Sequence, residues 1–222
     1  MSLFKLEHSK IAYQLDLAFF GIASVSLGVL LILAGPRAGL IRSIACAVLG
    51  LASWTFLEYG LHRFVLHGLP PFSTWHAEHH RRPAARIYSP TLLSALLIAT
   101  LVSLPAWILW GRWPACALTL GVVAGDFGYS VTHHAIHHWN AGGGWLRRRR
   151  RWHGRHHARL PLPAGPGNYG VTSPFWDHVF RTAVSSGPSC RPLGHRSVRA
   201  NSRVTGDCPV AEPAVVAPPR RA

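Results

Sequence analysis

Most of the chain's 15 histidines lie between His62 and His157, gathered in four clusters. They read His62-Arg-Phe-Val-Leu-His67, His76-Ala-Glu-His79-His80, His133-His134-Ala-Ile-His137-His138 and His153-Gly-Arg-His156-His157. On an α-helix, residues three and four apart share a face. His76, His79 and His80 therefore converge, as do His153, His156 and His157, and His133 with His137. His62 and His67, five apart, point about 140° from each other at 3.6 residues per turn, a spacing that lets them serve two different ions. Neutral imidazole binds Fe, Zn, Cu and Ni well, and no other ligand type is supplied in comparable number, since Asp and Glu together number only 8. Ten nitrogens, from His62, His67, His76, His79, His80, His133, His137, His153, His156 and His157, are too many for one ion and suit two ions with about five ligands each. His134 and His138 are surplus, because neighbouring faces already have claimants. His8, His178 and His195 stand alone and are read as ordinary polar residues.

Such a site favours oxidation over hydrolysis. Two-metal hydrolases usually enlist carboxylates, which are scarce here. An all-imidazole pair beside apolar sequence suits a redox-active metal, with iron preferred and zinc able to occupy the site in isolated protein. The implied chemistry is insertion of oxygen from O2 into a strong C–H bond, with two electrons supplied from outside. Glu58 lies four residues before His62 and Asp126 seven before His133, each on the same helical face, so either carboxylate is placed to orient a ligand imidazole.

The elements that must position these histidines are membrane helices. Hydrophobic residues make up 49% of the 222 residues and charged residues 14%, well under the roughly 25% charged content of soluble domains. Apolar stretches run over about 12–34, 40–59, 91–110 and 113–131, each near the roughly 20 residues that cross a hydrocarbon core. Short breaks at 35–39 and 111–112 make two hairpins, so the N-terminus, the 60–90 segment and everything after about 132 share one side. Lys5, Lys10, Arg63, Arg81, Arg82, Arg86 and the run from Arg147 to Arg151 fall on that side, against Arg37, Arg42 and Arg112 opposite, which makes it cytoplasmic. Pro105 and Pro114 leave open a second hairpin that is re-entrant or interfacial. The net charge of +15 follows from this topology and from attraction to anionic headgroups, not from nucleic-acid binding. The four cysteines form no C-x-x-C and read as small hydrophobes and tail residues. The fold expected is an all-α membrane protein over 1–182, with cap segments at about 60–90 and 132–182 holding a di-metal site. From 183 to 222 the chain turns rich in Pro, Arg and Ser without periodicity, as a disordered tail does.

Several strings resemble one family. Glu58-Tyr-Gly-Leu-His-Arg-Phe-Val-Leu-His67, the His76–His80 box, Gly128-Tyr129 ahead of His133, the His153–His157 box and Asn168-Tyr-Gly-Val-Thr-Ser-Pro-Phe-Trp-Asp177 are similar to the fatty-acid hydroxylase/sterol desaturase superfamily, particularly its fatty-acid 2-hydroxylase branch. The resemblance covers about 57–182. It implies a four-helix membrane base, a cytoplasmic cap with two iron ions, O2 as co-substrate, a membrane lipid or acyl chain hydroxylated at C-2, and a separate electron donor, cytochrome b5-like or ferredoxin-like. It carries ligand roles to the ten histidines above and makes His138 a supporting or alternative ligand. Asn168 to Asp177 becomes structural support for the cap. The family often has Tyr where His134 stands, and commonly Gly where Arg181 stands.

Other readings use the same residues. A desaturase or a sterol or carotenoid oxidase draws on similar histidine boxes, and the choice turns on how the lipid meets the oxidant. A metal-binding or metal-transporting membrane protein is the reading outside enzymes. It needs ionisable residues near the membrane midplane, whereas these clusters flank the apolar stretches, and Asp126 is the acidic residue read as lying nearest the middle of one.

Overall fold

In the computed structural model, residues 9–85, 91–139, 143–158 and 165–184 are described, and among them every regular element is helical. Helix α1 spans Lys10–Ala34. It is opened by Ser9, whose Oγ accepts from the Ala12 amide at 3.1 Å and so satisfies one of the otherwise unpartnered first-turn donors. Helix α2, Leu40–Gly60, runs directly into a π-helical turn, Leu61–Leu66. Helix α3 is Phe72–Arg81. Helix α4 (Thr91–Ile98), a second π-helical turn (Ala99–Ser103) and α5 (Leu104–Trp110) form one continuous rod. Helix α6 is Arg112–His138, α7 is Gly144–His157 and α8 is Phe175–Val179.

Four of these rods are long and apolar enough to cross a membrane: Lys10–Ala34, Arg37–Leu66, Thr91–Trp110 and Arg112–His138. Their outer surfaces carry fully displayed apolar side chains, such as Ile32, Ile41, Leu92 and Ile108 at 74–84% exposure. A surface of that kind is stable against lipid and not against water, and the protein is an integral membrane protein.

Helix α6 is the axis. Helices α1, α2 and α5 all pack on it, with α2 making the most extensive contact. Glycines explain the close approach of α2 and α6. A Cβ on Gly50 would overlap the Leu118 carbonyl, one on Gly121 the Ala47 carbonyl, and one on Gly125 the Trp54 side chain. Small residues at such crossings let backbones touch where lipid offers no hydrophobic drive.

The apolar boundaries read from sequence agree closely with the helices at 34, 40, 91 and 110. They fall short where it matters for chemistry. Helix α2 continues through its π turn to Leu66, and α6 continues past 131 to His138, so the spanning helices themselves carry His62, His133 and His137. Pro105 and Pro114 break nothing. Pro114 sits in the first turn of α6, where the missing N–H would have had no intrahelical partner, and Pro105 lies just after the π-helical turn Ala99–Ser103, with the rod continuous through it. The packed unit also runs beyond 182: the Val184 amide donates to Asn168 Oδ1 at 2.7 Å and Val184 is buried. The tail expected from 183 otherwise lies outside the described residues.

Candidate metal centre

Ten imidazoles meet above the membrane helices in two groups of five. The first holds His62, His67, His76, His80 and His156, the second His79, His133, His137, His153 and His157. Within each group the candidate ligand atoms lie within 4.8 Å of one another. They are the ten that the spacing singles out, in the expected division of five and five.

The internal assignment differs from the spacing argument in two ways. His62 and His67 belong to the same group, with their rings stacked 5.3 Å apart. The cause is the π-helical turn between them: with i→i+5 bonding, residues five apart return to nearly one face, so the expected divergence of about 140° on an α-helix is lost. The boxes on α3 and α7 also do not converge as triplets. His76 and His80 pair at 3.1 Å while His79 turns to the second group, and His153 and His157 pair at 3.0 Å while His156 turns to the first. Adjacent helical residues diverge by about 100°, so the two neighbouring histidines of an H-x-x-H-H box must face different ions.

The ring nitrogens are oriented for cations. His62 Nδ1 donates to the Tyr169 carbonyl at 2.5 Å and His156 Nδ1 to the Gly167 carbonyl at 2.6 Å. A carbonyl only accepts, so each Nδ1 carries the proton and each Nε2 presents its lone pair to the group. Those Nε2 atoms face others, His62 to His76 at 3.0 Å and His67 to His156 at 3.2 Å. Both ring nitrogens of His79 are buried with no hydrogen-bond partner among the described residues. Lone pairs gathered like this repel unless a cation lies between them, and the donor set fits a pair of imidazole-binding metals. Burial, then the neighbouring imidazoles, keeps the rings neutral: His67 is brought down to about 4 and His79 to about 3, while burial alone takes His80 to about 4. His76, His153 and His156 are driven well below their ordinary range by the same desolvation.

A strap over residues 167–172 supplies those carbonyls, and two buried acids hold it. Glu58 on α2 accepts from the Val171 amide at 2.6 Å, from the Thr172 amide at 2.9 Å and from the Thr172 hydroxyl. Asp177 accepts from the Tyr169 amide at 2.8 Å, the Gly170 amide at 2.7 Å and the Thr182 hydroxyl at 2.7 Å. Asn168 takes the left-handed conformation (φ 54°) at the bend and donates to the Trp152 carbonyl. Arg150 donates to the Ile136, Ala135 and Trp139 carbonyls, satisfying the C-terminal end of α6 beside His137.

The expected supporting residues behave differently from one another. Glu58 makes no hydrogen bond to an imidazole among the described residues and instead fixes the strap that orients His62. Asp126 makes no hydrogen bond to an imidazole; it lines a cavity below the second group. His138 stands outside both groups, stacked on His134 at 4.6 Å, and His134 Nδ1 meets the Tyr13 hydroxyl at 3.2 Å. His178 packs on Trp152, while His8 and His195 lie outside the described residues. The spacing of the sequence did not single out Asp177, Arg150 or the main-chain carbonyls of Gly167 and Tyr169. Asp177's only signal was its rarity, as one acid among 8 placed inside the Asn168–Asp177 string.

A cavity of about 200 Å³ lies against both groups. It runs between α2, α3, α4 and α6, is walled mainly by apolar side chains such as Leu61, Leu93 and Leu97, and touches His62 and His76 of the first group and His79 and His133 of the second.

Comparison with known proteins places this arrangement. A model described as fatty acid hydroxylase matches residues 47–182. Two proteins of Arabidopsis thaliana, dihydroceramide fatty acyl 2-hydroxylases FAH2 and FAH1, are 32% identical over 66% and 63% of this chain. The ceramide very long chain fatty acid hydroxylase scs7 of Schizosaccharomyces pombe is 32% identical over 71% of it. The chain spans 62%, 60% and 47% of the lengths of these relatives. A solved structure of scs7p, in which only the hydroxylase domain is visible, shares the fold with a TM-score of 0.63 at 24% identity, over 82% of this chain and 70% of that one. With more than half of its residues matched and two five-imidazole groups built partly on the membrane-crossing helices, the chain belongs to the fatty acid hydroxylase family.

Proposed function

We propose that the protein hydroxylates the acyl chain of a membrane lipid, at the carbon next to the carbonyl, with a di-iron centre and O2. One observation carries the reading: a single apolar cavity abuts imidazoles of both histidine groups, so a lipid chain lying in it reaches the centre from the membrane side. His62, His67, His76, His80 and His156 would hold one ion, and His79, His133, His137, His153 and His157 the other. The metals, when bound, supply activation of O2, so that C–H plus O2, two electrons and two protons become C–OH and water.

The chain's own residues do the rest. Leu61, Leu93 and Leu97 exclude water along the path of the acyl chain. The strap held by Glu58 and Asp177 fixes the His62 and His156 rings and keeps their Nε2 lone pairs aimed inward. The relatives named as dihydroceramide fatty acyl 2-hydroxylases support the carbon assigned and point to an amide-linked acyl chain. The excess of Lys and Arg at the histidine-bearing ends supports a cytoplasmic centre. Arg147, Arg148 and Arg151, exposed on the helix that carries His153, His156 and His157, suit an acidic electron donor of the cytochrome b5 or ferredoxin kind.

Expression in a bacterial host under labelled oxygen gas, with lipid mass spectrometry and His79→Ala as control, tests the reading. Acyl chains that gain one labelled oxygen only with the intact protein are the expected result. New double bonds without label would replace hydroxylase by desaturase. Unchanged lipid in the presence of a competent donor and two bound metals would favour a metal-binding role.

A further inference from the structure

The cavity beside the metal groups carries two polar atoms that the protein leaves unsatisfied. Trp54 Nε1 and Asp126 Oδ2 are buried, and neither has a hydrogen-bond partner among the described residues. The two residues are 8% and 7% exposed, and both line the cavity. Their level is set by the helices. Trp54 precedes His62 on α2 and Asp126 precedes His133 on α6 by about two turns, or about 10–12 Å at 1.5 Å per residue. The Trp54 side chain packs on the bare Cα of Gly125, where any Cβ would overlap it, and Gly125 is the chain neighbour of Asp126.

Neither group belongs in an apolar membrane helix without a purpose. A buried carboxyl lacking a partner is strongly unfavourable, and ionisable residues inside spans face cavities and mark substrate paths. The pair is also chemically complementary, because an indole N–H only donates and a carboxylate only accepts. A group that fits both accepts one hydrogen bond and donates another. A hydroxyl does this through one oxygen. An ammonium group could not accept from the indole.

Resting on the reading of this cavity as the substrate site, we propose that Trp54 and Asp126 bind a hydroxyl of the lipid substrate and thereby set which carbon stands at the metals. They are positioning residues, remote from the reacting atoms. Substrates lacking that hydroxyl slide in the cavity and are oxidised at more than one carbon.

The test uses the metal-loaded, full-length protein in detergent with two probes, N-hexadecanoylethanolamine and N-ethylhexadecanamide, which differ by one hydroxyl. Binding is measured under nitrogen and product position under O2. Wild type should bind the hydroxyl probe about tenfold or more tighter, the range expected for two hydrogen bonds. Trp54→Phe and Asp126→Val should bring the ratio near one and leave the affinity for the other probe unchanged, while Asp126→Asn retains part of the preference. A purely structural role would lower the melting midpoint and weaken both probes alike. That result, or a wild type indifferent to the hydroxyl, would overturn the proposal. If Asp126→Val does not fold, Trp54→Phe decides alone, since it keeps the packed ring. A protein that keeps the binding preference but oxidises neither probe would refute the oxygenase reading and leave the hydroxyl site standing.

Discussion

The Nδ1–H of His62 donates at 2.5 Å to the carbonyl of Tyr169, a residue 107 positions away in sequence. The strap bearing that carbonyl is tied back to Glu58, one helical turn before His62 on α2. Ring, strap and acid close a circuit in which Glu58 steers an imidazole without hydrogen-bonding to it. Both helix and strap must be in place before the His62 lone pair is aimed.

Glu58→Ala should therefore cost both stability and metal. Removing a buried carboxylate that accepts three hydrogen bonds leaves the Val171 and Thr172 amides unpaired, at roughly 1–3 kcal/mol each. A fall in melting midpoint should accompany reduced metal content, and Glu58→Gln, which keeps one acceptor oxygen, should lie between. Wild-type metal content and melting in Glu58→Ala would show that the strap is held without it.

Single-ligand changes should separate the two groups. His156→Ala is expected to lower metal content through the first group and His137→Ala through the second, each moving bound metal from two ions per chain towards one, with turnover lost in both. Elemental analysis of the purified variants measures this. A variant that kept two ions and full activity would remove its residue from the centre.

At Gly121, Ala should destabilise by about 1–3 kcal/mol, the usual cost of overpacking, because the added methyl meets the Ala47 carbonyl on α2. Gly128→Ala is the control, since nothing stands within 4 Å of its position. Detergent-solubilised melting curves should shift for the first variant only.

Arg181 holds φ at 55°, a conformation that strains any side chain and suits glycine, the residue commonly found there in the resembling family. Arg181→Gly should raise stability by a few tenths to about 1 kcal/mol, seen as a higher melting midpoint with activity unchanged. A lowered midpoint would mean that the Arg181 side chain makes a contact worth more than the strain.

Acid should loosen the metal-free protein. His67, His79 and His80 titrate at about 4, 3 and 4 when folded, against about 6.5 when unfolded. Between those limits the unfolded chain binds more protons, so stability is full above about 6.5 and declines as pH falls towards 4. A melting midpoint that stayed flat from pH 7 to 5 would show that these rings are not buried neutral.

Much of this was legible in the residues, for physical reasons. Apolar length gave the spans to within a few residues, and histidine spacing gave the ten members of the centre. What stayed hidden depends on hydrogen bonding that no propensity encodes. The π turn at 61–66 reverses the direction of His67 relative to an α-helix, so His62 and His67 share a group. Glu58 and Asp126 looked alike in sequence, an acid one or two turns before a histidine. Only the packing distinguishes them, because the strap comes over Glu58 and the cavity opens beside Asp126. Thr182 looked like the end of the fold by composition, yet the Val184 amide is held by Asn168, an interaction between segments that composition cannot register.

The crossed sharing of the boxes on α3 and α7 bears on how the protein is made. The first group needs His156 and the second needs His153 and His157, all from α7, although seven of the ten rings precede it in the chain. During synthesis neither nest has its full five imidazoles until the ribosome has released that helix, so the complete donor set of both groups forms only late in translation.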